Sequence, residues 1–355
     1  MTKVQPGFRH GTVIAPASKS HLHRLLIASF LGGKRDLFEP QAGDSEDIVA
    51  TRRCLKALVG PGENPVLDCG ESGSTLRFLM PVAAALGKRP KYVKAGRLAS
   101  RPVIEYPTIK SGVHELAGNV SSQYVTGLLF ALPLLDDQSE IRFSSPLESR
   151  GYVDMTLQVL GEAGIEVQAT PDGGFMVPGG QRYRAVDARH PEGDWSGAAF
   201  WLAMDALGSQ VEVKGLNPSS TQPDRAIVRL LGQREIDVSA CPDIFPVLSV
   251  VAAAKPQTTL FTGTRRLKLK ESDRTAAMAD VLGRFGFRTE MSDDTFTVHG
   301  GGRFKAGAFT SYADHRIAMS IAVGATIAEG PVEIDNAECA AKSYPAFFRL
   351  FDELA

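Results

Sequence analysis

The sequence predicts an α/β protein of two domains, each built from three copies of one supersecondary unit. The chain of 355 residues exceeds the size at which a single hydrophobic core usually stops growing. A short polar loop that runs into an Ala- and Leu-rich helix recurs six times. Short β-like segments bounded by Gly or Pro follow these helices. We interpret the repeat as β-α-β-α-β-β, which fits six times along the chain.

Each of the six polar loops leads into a helix with few charged residues. We expect these helices to be buried on most sides, because a helix that is apolar all round belongs in a core. The expected helix starts are Ser20, Ser72, Ser122, Trp195, Asp243 and His315.

A second helix of ordinary amphipathic type is expected in most copies. Its predicted ranges are 45–58, 152–163, 224–231, 272–285 and 345–354. Strands are expected at 166–168, 211–213, 295–298 and 332–334. The second copy breaks the pattern, because residues 101–121 are too few for a helix plus strands and Pro107 disfavours a helix there. We therefore expect this copy to be trimmed.

The copies divide three and three between the domains. Residues 17–191 are predicted to form one domain, and 1–16 with 192–355 the other; the chain start is expected to add a strand to this later domain. Each domain would direct three buried helix N-termini toward one end. A cleft between two such ends suits a substrate with several anionic groups, because helix N-termini attract anions.

Composition restricts the partners. The net charge of −1 argues against nucleic acid, and no apolar run is long enough for a membrane span. The first residues lack the apolar core of a signal peptide, so we expect a cytoplasmic protein, and we expect it to be monomeric. The four cysteines lack paired spacing, which favours reduced thiols and no metal site, with a nucleophilic role for Cys69 or Cys241 as the less favoured alternative. We expect no metal and no organic cofactor.

The first helix start carries the clearest binding signal. Ser18 or Ser20 can cap the helix, whose first turns carry Lys19 and Arg24. Cations at a helix N-terminus oppose the dipole, but they suit a phosphate or carboxylate bound at the open N–H groups. The alternative is a capped surface helix with solvated basic residues.

Ten segments in chain order extend this signal over nearly the whole sequence. They are 16–20 (PASKS), 71–77 (ESGSTLR), 97–102 (RLASRP), 121–123 (SSQ), 149–154 (SRGYVD), 192–194 (EGD), 242–243 (PD), 270–274 (KESDR), 314–319 (DHRIAM) and 341–345 (AKSYP). In this order they resemble the 5-enolpyruvylshikimate-3-phosphate synthase family. The resemblance implies a two-domain inside-out α/β barrel of six repeats, with the active site in the cleft between the domains.

The resemblance also implies the reaction and the residues that serve it. The enolpyruvyl group of phosphoenolpyruvate would be transferred to the 5-hydroxyl of shikimate-3-phosphate, with release of phosphate. Residues implied for shikimate-3-phosphate are Lys19, Ser20, Arg24, Ser121, Ser122, Gln123, Ser149, Tyr152, Asp243 and Lys270. Residues implied for phosphoenolpyruvate are Lys19, Gly73, Arg101, Gln123, Arg274, His315, Arg316 and Lys342.

The chemistry requires a proton for the methylene carbon of phosphoenolpyruvate and a base for the alcohol. Asp243 and Glu271 are the candidates, with Lys19 and Lys342 as cationic helpers. We favour Asp243 as the base and Glu271 as the proton donor, although the sequence leaves their order of action open. Glu71 departs from the Asn that many family members have, and an extra carboxylate there requires a cation such as Arg77 beside it.

Three alternatives stay open at this point. A sister enolpyruvyl transferase acting on a uridine-diphosphate sugar (UDP-N-acetylglucosamine) would need a reactive cysteine on a mobile loop, for which we find no convincing equivalent. An RNA 3′-phosphate cyclase would need a nucleic-acid surface, which the neutral charge disfavours. A non-catalytic phosphometabolite sensor would bind without releasing phosphate, and the presence of both Asp243 and Glu271 argues against it.

Overall fold

The structure is a computed structural model that describes residues 1–101 and 103–355. Pro102, the last residue of the RLASRP segment, lies outside the described residues. The α-helices are α1 (Lys19–Leu31), α2 (Glu46–Val59), α3 (Gly73–Ala85), α4 (Ser122–Ala131), α5 (Arg150–Glu162), α6 (Trp195–Ala206), α7 (Ile227–Leu230), α8 (Phe245–Ala254), α9 (Arg274–Phe285), α10 (His315–Ala325) and α11 (Phe347–Glu353). Among the described helices, none has the length and apolar character needed to span a bilayer.

Fifteen strands are described, most of them short. They are β1 (Thr2–Val4), β2 (His10–Ile14), β3 (Val66–Asp68), β4 (Lys91–Val93), β5 (Val113–Ala117), β6 (Ser139–Ser145), β7 (Gln168–Ala169), β8 (Phe175–Val177), β9 (Gln210–Lys214), β10 (Glu235–Asp237), β11 (Thr258–Thr262), β12 (Arg288–Met291), β13 (Thr295–His299), β14 (Gly307–Phe309) and β15 (Val332–Ile334).

The chain forms two compact units, each with its own hydrophobic core. Unit 1 comprises Met1–Ser18 and Glu192–Ala355, and unit 2 comprises Lys19–Pro191. Ser18 is bonded within unit 1. Its backbone N–H donates to the carbonyl of Glu192 at 2.7 Å, and its hydroxyl donates to Gln222 Oε1 at 3.1 Å.

Within residues 1–101 and 103–355, the complete repeat occurs twice, once in each unit, with the same topology. In unit 2 the elements β5-α4-β6-α5-β7-β8 form a sheet of strand order β5-β6-β8-β7. In unit 1 the elements β10-α8-β11-α9-β12-β13 give the order β10-β11-β13-β12. The first two strands are parallel in both sheets, and the last two form an antiparallel pair. This common topology confirms the β-α-β-α-β-β interpretation for these copies.

The first, second and fourth copies contain fewer elements than the complete repeat. The second keeps only the parallel pair β3 and β4 around α3, and no helix is described at 103–121, which confirms the trimming. In the first copy, no strand is described from α1 to the end of α2. The helix expected at 224–231 is instead a 3₁₀ turn at Pro223–Ala226 followed by the single turn α7. The helix ends before Leu231, whose ψ of 121° is extended, and Gly232 continues the turn with a left-handed φ of +81°.

The chain start contributes two strands where one was predicted. Strand β1 pairs antiparallel with β15, and β2 pairs parallel with β9, all within unit 1. The β2–β9 pair flanks α6 in the way that β5 and β6 flank α4, although unit 2 separates its strands in sequence. Unit 2 is therefore inserted into the fourth copy of the repeat.

Helices α3 and α4 approach each other closely in unit 2. A Cβ atom on Gly127 would lie 2.4 Å from the carbonyl oxygen of Arg77, so this contact requires glycine. The close approach brings the first turns of the two helices together. As a result Gln123 on α4 reaches the side chains of Ser74 and Arg77 on α3.

Candidate active site residues in each unit

The predicted site residues follow the carboxyl ends of parallel strand pairs. In unit 1, residues 242–243 follow β10 and residues 270–274 follow its parallel partner β11. Residues 314–316 and 342 follow β14 and β15, another parallel pair. Ligands of α/β sheets bind at this edge, where helix N-termini also point. In unit 2 the residues from Gly73 onward follow β3, β4, β5 and β6 in the same way, whereas Lys19, Ser20 and Arg24 lie on α1.

Arg274 is the centre of the unit 1 residues and is 1% exposed. Its Nε donates to Asp314 Oδ2 at 2.8 Å, and its Nη1 donates to Asp243 Oδ1 at 2.8 Å. Its Nη2 donates to Glu271 Oε2 at 2.9 Å and to Asp314 Oδ1 at 3.3 Å. One buried guanidinium therefore orients three carboxylates, including both predicted acids.

Three cations surround the carboxylate of Asp243. Lys270 Nζ lies 3.2 Å and Arg274 Nη1 2.8 Å from Oδ1, and Arg316 Nη2 lies 3.1 Å from Oδ2. Burial by itself would raise the pKa of Asp243, but Arg316, Lys270 and Arg274 together hold it well below its ordinary range. Asp243 is therefore ionised at neutral pH, and its side chain is still 21% exposed.

Glu271 occupies a similar electrostatic environment. Burial would raise the pKa of its carboxyl, but the charges of Arg274, His315, Lys342 and Lys270 hold it well below the ordinary value. His315 and Lys342 are 1% and 5% exposed. We call the seven predicted residues gathered here the unit 1 cluster. It consists of Asp243, Lys270, Glu271, Arg274, His315, Arg316 and Lys342.

A strained loop presents the start of α10. Tyr312 and Ala313 both have left-handed backbones, with φ of +56° and +51°, which non-glycine residues rarely adopt. Asp314 follows, is fully buried and caps α10 by accepting from the N–H of Arg316 at 2.9 Å. The hydroxyl of Ser272 also donates to Asp314 at 3.0 Å. The loop and cap together fix the positions of His315 and Arg316.

In unit 2, the two basic residues of α1 have different partners. Lys19 Nζ lies 2.8 Å from Asp47 Oδ2. Arg24 is 2% exposed, and its bonds within the described residues go to neutral oxygens. These are the hydroxyls of Thr156 (2.8 Å) and Thr126 (3.4 Å) and the carbonyls of Tyr152 (2.8 Å) and Ser20 (2.5 Å). Burial among these neutral groups lowers the pKa of Arg24 to about 9, so it stays charged at neutral pH.

Gln123 has both ends of its amide engaged by α3. Arg77 Nη1 donates to its Oε1 at 2.9 Å, and its Nε2 donates to the hydroxyl of Ser74 at 3.0 Å. Gly73, the first residue of α3, has Arg77 so close that a Cβ would lie 2.5 Å from Nη1. These contacts place Gln123 next to the α3 N-terminus.

The three predicted phosphate-binding serines lie at two neighbouring helix starts. Ser121 caps α4 by accepting from the N–H of Gln123 at 3.3 Å, and Ser122 is its first residue. Ser149 directly precedes α5 and has a left-handed backbone with φ of +54°. The two loops are joined because the N–H of Glu148 donates to the carbonyl of Gly118 at 3.0 Å. Two helix N-termini that carry hydroxyl groups suit a phosphate.

Arg101 follows the 3₁₀ helix Gly96–Ser100, which leads from β4. The carboxylate of Glu71 lies against the backbone of Gly96, so a side chain at Gly96 would collide with it. Arg77, the cation expected beside Glu71, donates instead to Gln123. Glu71 thus packs against the segment that ends at Arg101.

Three acidic residues that lie beside the predicted site residues were not singled out from the sequence. Asp47 pairs with Lys19, and Asp314 binds Arg274. Asp224 is buried and accepts from the hydroxyl of Ser196; burial and the charge of Asp243 raise its pKa to about 6. The sequence shows that Asp47 lies in the first turn of a predicted helix and that Asp314 precedes one. Neither position indicates which distant residue the carboxylate binds.

Comparison with known proteins identifies the family. A family model described as EPSP synthase (3-phosphoshikimate 1-carboxyvinyltransferase) matches residues 35–351. The 3-phosphoshikimate 1-carboxyvinyltransferase of Clostridium kluyveri is 38% identical over 413 aligned positions, covering 99% of this chain and 96% of the relative. That of Clostridium botulinum is 34% identical, with 99% and 96% covered. The alignments are longer than the chain, so these relatives contain residues that this chain lacks.

Solved structures agree on the fold. EPSP synthase from Acinetobacter baumannii superimposes with a TM-score of 0.76 at 22% identity, covering 99% of this chain and 98% of that one. The enolpyruvyl transferase NikO from Streptomyces tendae gives 0.71 at 13% identity, with 99% and 97% covered. The fold is the two-domain inside-out α/β architecture of enolpyruvyl transferases, as predicted. With the matches in sequence, it places the chain in the EPSP synthase (3-phosphoshikimate 1-carboxyvinyltransferase) family.

Proposed function

We propose that the protein transfers the enolpyruvyl group of phosphoenolpyruvate to the 5-hydroxyl of shikimate-3-phosphate and releases phosphate. This reaction belongs to the shikimate pathway of aromatic amino-acid biosynthesis. The observation that carries the proposal is the unit 1 cluster, in which two carboxylates lie among buried cations on a chain of this family. The buried free cysteines fit a reducing compartment, and we propose a monomeric cytoplasmic enzyme.

Shikimate-3-phosphate is assigned chiefly to unit 2. Arg24 is a buried cation whose bonds within the described residues go to neutral oxygens, so a phosphate would supply the missing negative charge. Ser121, Ser122 and Ser149 offer hydroxyls at two helix N-termini for the same phosphate. The remaining residues assigned to this substrate are Lys19, Ser20, Gln123, Tyr152, Asp243 and Lys270.

Phosphoenolpyruvate carries a carboxylate and a phosphate, which favours arginine and lysine as partners. We assign it residues from both units. Those of unit 1 are Arg274, His315, Arg316 and Lys342, and those of unit 2 are Lys19, Gly73, Arg101 and Gln123. Arg274 and Arg316 already bind carboxylates, so the substrate anion would compete with Asp243 and Glu271 for them.

The reaction needs three proton transfers around one tetrahedral intermediate. The 5-oxygen of shikimate-3-phosphate attacks C2 of phosphoenolpyruvate and loses its proton, while C3 gains a proton. Loss of phosphate from C2 and of a proton from C3 then restores the double bond. The cations of the unit 1 cluster would stabilise the charge of the intermediate.

We assign the base to Asp243 and the proton donor to Glu271, with Lys19 as a cationic helper. Asp243 is ionised without substrate, which is the form a base needs, but three cations make it a weak base. Glu271 is ionised as well and must gain a proton before it can donate one. Substrate anions that bind these cations would raise the pKa values of Asp243 and Glu271. Asp243 then becomes a stronger base, and Glu271 gains a proton more readily.

A phosphate-release assay tests the proposed function. Purified protein is given shikimate-3-phosphate and phosphoenolpyruvate together, each alone, and UDP-N-acetylglucosamine with phosphoenolpyruvate. We expect release only with the first pair. Release with the sugar nucleotide would favour the sister transferase, although burial raises the pKa of Cys241 and Cys339 to about 12 and so disfavours a thiolate nucleophile. Binding without any release would favour a sensor.

Replacing Ser149 with glycine should have opposite effects on stability and on substrate binding. The left-handed backbone at Ser149 costs on the order of 1 kcal/mol, which glycine relieves, so the unfolding midpoint should rise. Loss of the hydroxyl should raise the KM for shikimate-3-phosphate severalfold. Thermal unfolding and steady-state kinetics measure the two effects. An unchanged KM would remove Ser149 from the phosphate-binding set.

A further inference from the structure

We propose that His23 is a positioning residue for phosphoenolpyruvate binding. It would act through a buried chain of hydroxyl groups that ends at the N-terminus of α3. This inference rests on the proposed function, because it concerns residues that we assign to the same substrate. His23 itself is 1% exposed and touches the ring of Phe78 edge-on, with ring centroids 6.1 Å apart.

The chain of hydroxyls crosses three helices of unit 2. His23 Nδ1 on α1 lies 2.7 Å from the hydroxyl of Thr51 on α2, which lies 2.6 Å from the hydroxyl of Thr75 on α3. Thr75 lies 2.7 Å from the hydroxyl of Ser72, the cap of α3, and 3.3 Å from the backbone carbonyl of Asp47. All these side chains are buried.

The donors in this chain can be ordered by counting protons. The single proton of Thr75 goes to Ser72 or to the Asp47 carbonyl. Thr51 must then donate to Thr75, which leaves it able only to accept from the imidazole. His23 therefore carries its proton on Nδ1 and donates to Thr51. The imidazole sets the direction of the whole chain.

The other ring nitrogen supports this assignment. Within the described part of the chain, His23 Nε2 has no hydrogen-bond partner. The Nε2 lone pair can stay without a donor at little cost. Protonation of Nε2 would instead place a positive charge in the protein interior. Burial, together with the charges of Lys19 and Arg24, lowers the pKa of His23 to about 3. The ring therefore stays neutral, and its Nδ1–H remains a donor, throughout the working pH range.

Two residues assigned to phosphoenolpyruvate depend on the ends of this chain. Ser72 fixes the first turn of α3, where Gly73 offers its backbone. Asp47 accepts from Thr75 through its carbonyl and holds Lys19 through its carboxylate. Loss of the His23 donor would free Thr51 and Thr75 to rotate, and both ends would lose their fixed positions.

The test compares two substitutions of His23 with a matched control. Asparagine can place an amide N–H where Nδ1 lies, whereas leucine cannot donate. We expect H23L to raise the KM for phosphoenolpyruvate about tenfold, the equivalent of one lost hydrogen bond, with a smaller change in kcat. H23N should restore KM to within about threefold of the wild-type value. The control S29A removes another buried hydroxyl of α1, which donates to the carbonyl of Val186, and should leave KM unchanged.

A second variant covers the case in which H23L does not fold. T51V keeps the volume of Thr51 but removes the middle hydroxyl, and it should raise the same KM. The positioning role is overturned if H23L or T51V folds with a wild-type KM for phosphoenolpyruvate, or if H23N is as impaired as H23L. An inactive wild-type protein would instead reject the proposed function, and calorimetric titration with phosphoenolpyruvate would still measure the effect on binding.

Discussion

The variant Asp243→Asn is expected to lower kcat by about 10²–10⁴-fold, the usual contribution of a general base. Asparagine keeps the shape of the side chain, but it cannot accept the proton of the 5-hydroxyl. It also leaves Lys270, Arg274 and Arg316 with less negative charge to neutralise. The affinity for the anionic substrate phosphoenolpyruvate should therefore be kept or increased.

Phosphate release gives kcat, and calorimetric titration gives the affinity for each substrate. Asp293→Asn is a suitable control, because Asp293 also lies between two cations, Arg265 and Lys268, but its side chain is 70% exposed. We expect this variant to keep wild-type kinetics. Turnover of Asp243→Asn close to the wild-type rate would refute the assignment of the base.

The sequence predicted most helix starts closely, and the predicted strands at 211–213, 295–298 and 332–334 are confirmed as parts of β9, β13 and β15. The buried helix at Ser122 begins at that residue, and the one at Ser72 begins one residue later, because serine caps are local signals. The strand expected at 166–168 lies instead at Gln168–Ala169. Strand limits depend on the partner strand, so a single short segment does not define them.

The structure brings together the residues of the unit 1 cluster that the family resemblance implied, and the roles of its members stay predictions. Arg274 was predicted only as a phosphoenolpyruvate ligand, and the structure shows it bound to three carboxylates as well. Its bonds to Asp243 and Asp314 span 31 and 40 positions of sequence. These partners meet because the loops that follow β10, β11 and β14 pack together. Local sequence patterns carry no information about that packing. The left-handed backbone at Tyr312 and Ala313 was equally invisible, because neither residue type favours it.

The variant Arg274→Met is expected to have the largest effect on stability. Methionine has a similar length but leaves the carboxylates of Asp243, Glu271 and Asp314 without their shared partner. Removing one partner of a buried ion pair costs about 3–5 kcal/mol. Denaturant unfolding at neutral pH measures the loss. The control Arg284→Met lies on the same helix in an exposed pair with Asp280 and should cost no more than about 1 kcal/mol.

The pH dependence of the unfolding free energy shows whether Arg274→Met destabilises the protein through the loss of charge or through the loss of packing. In the wild-type protein the pKa values of Asp243 and Glu271 are depressed, so their contribution to stability is present above about pH 4 and is lost as the pH falls through the depressed values. Without Arg274 the burial of these carboxyls raises both pKa values, so each group protonates more readily as the solution becomes acidic. The stability deficit of the variant should therefore be largest at neutral pH and shrink toward acid pH. A deficit that stays constant with pH would mean that Arg274 stabilises the protein by packing, not by holding the carboxylates.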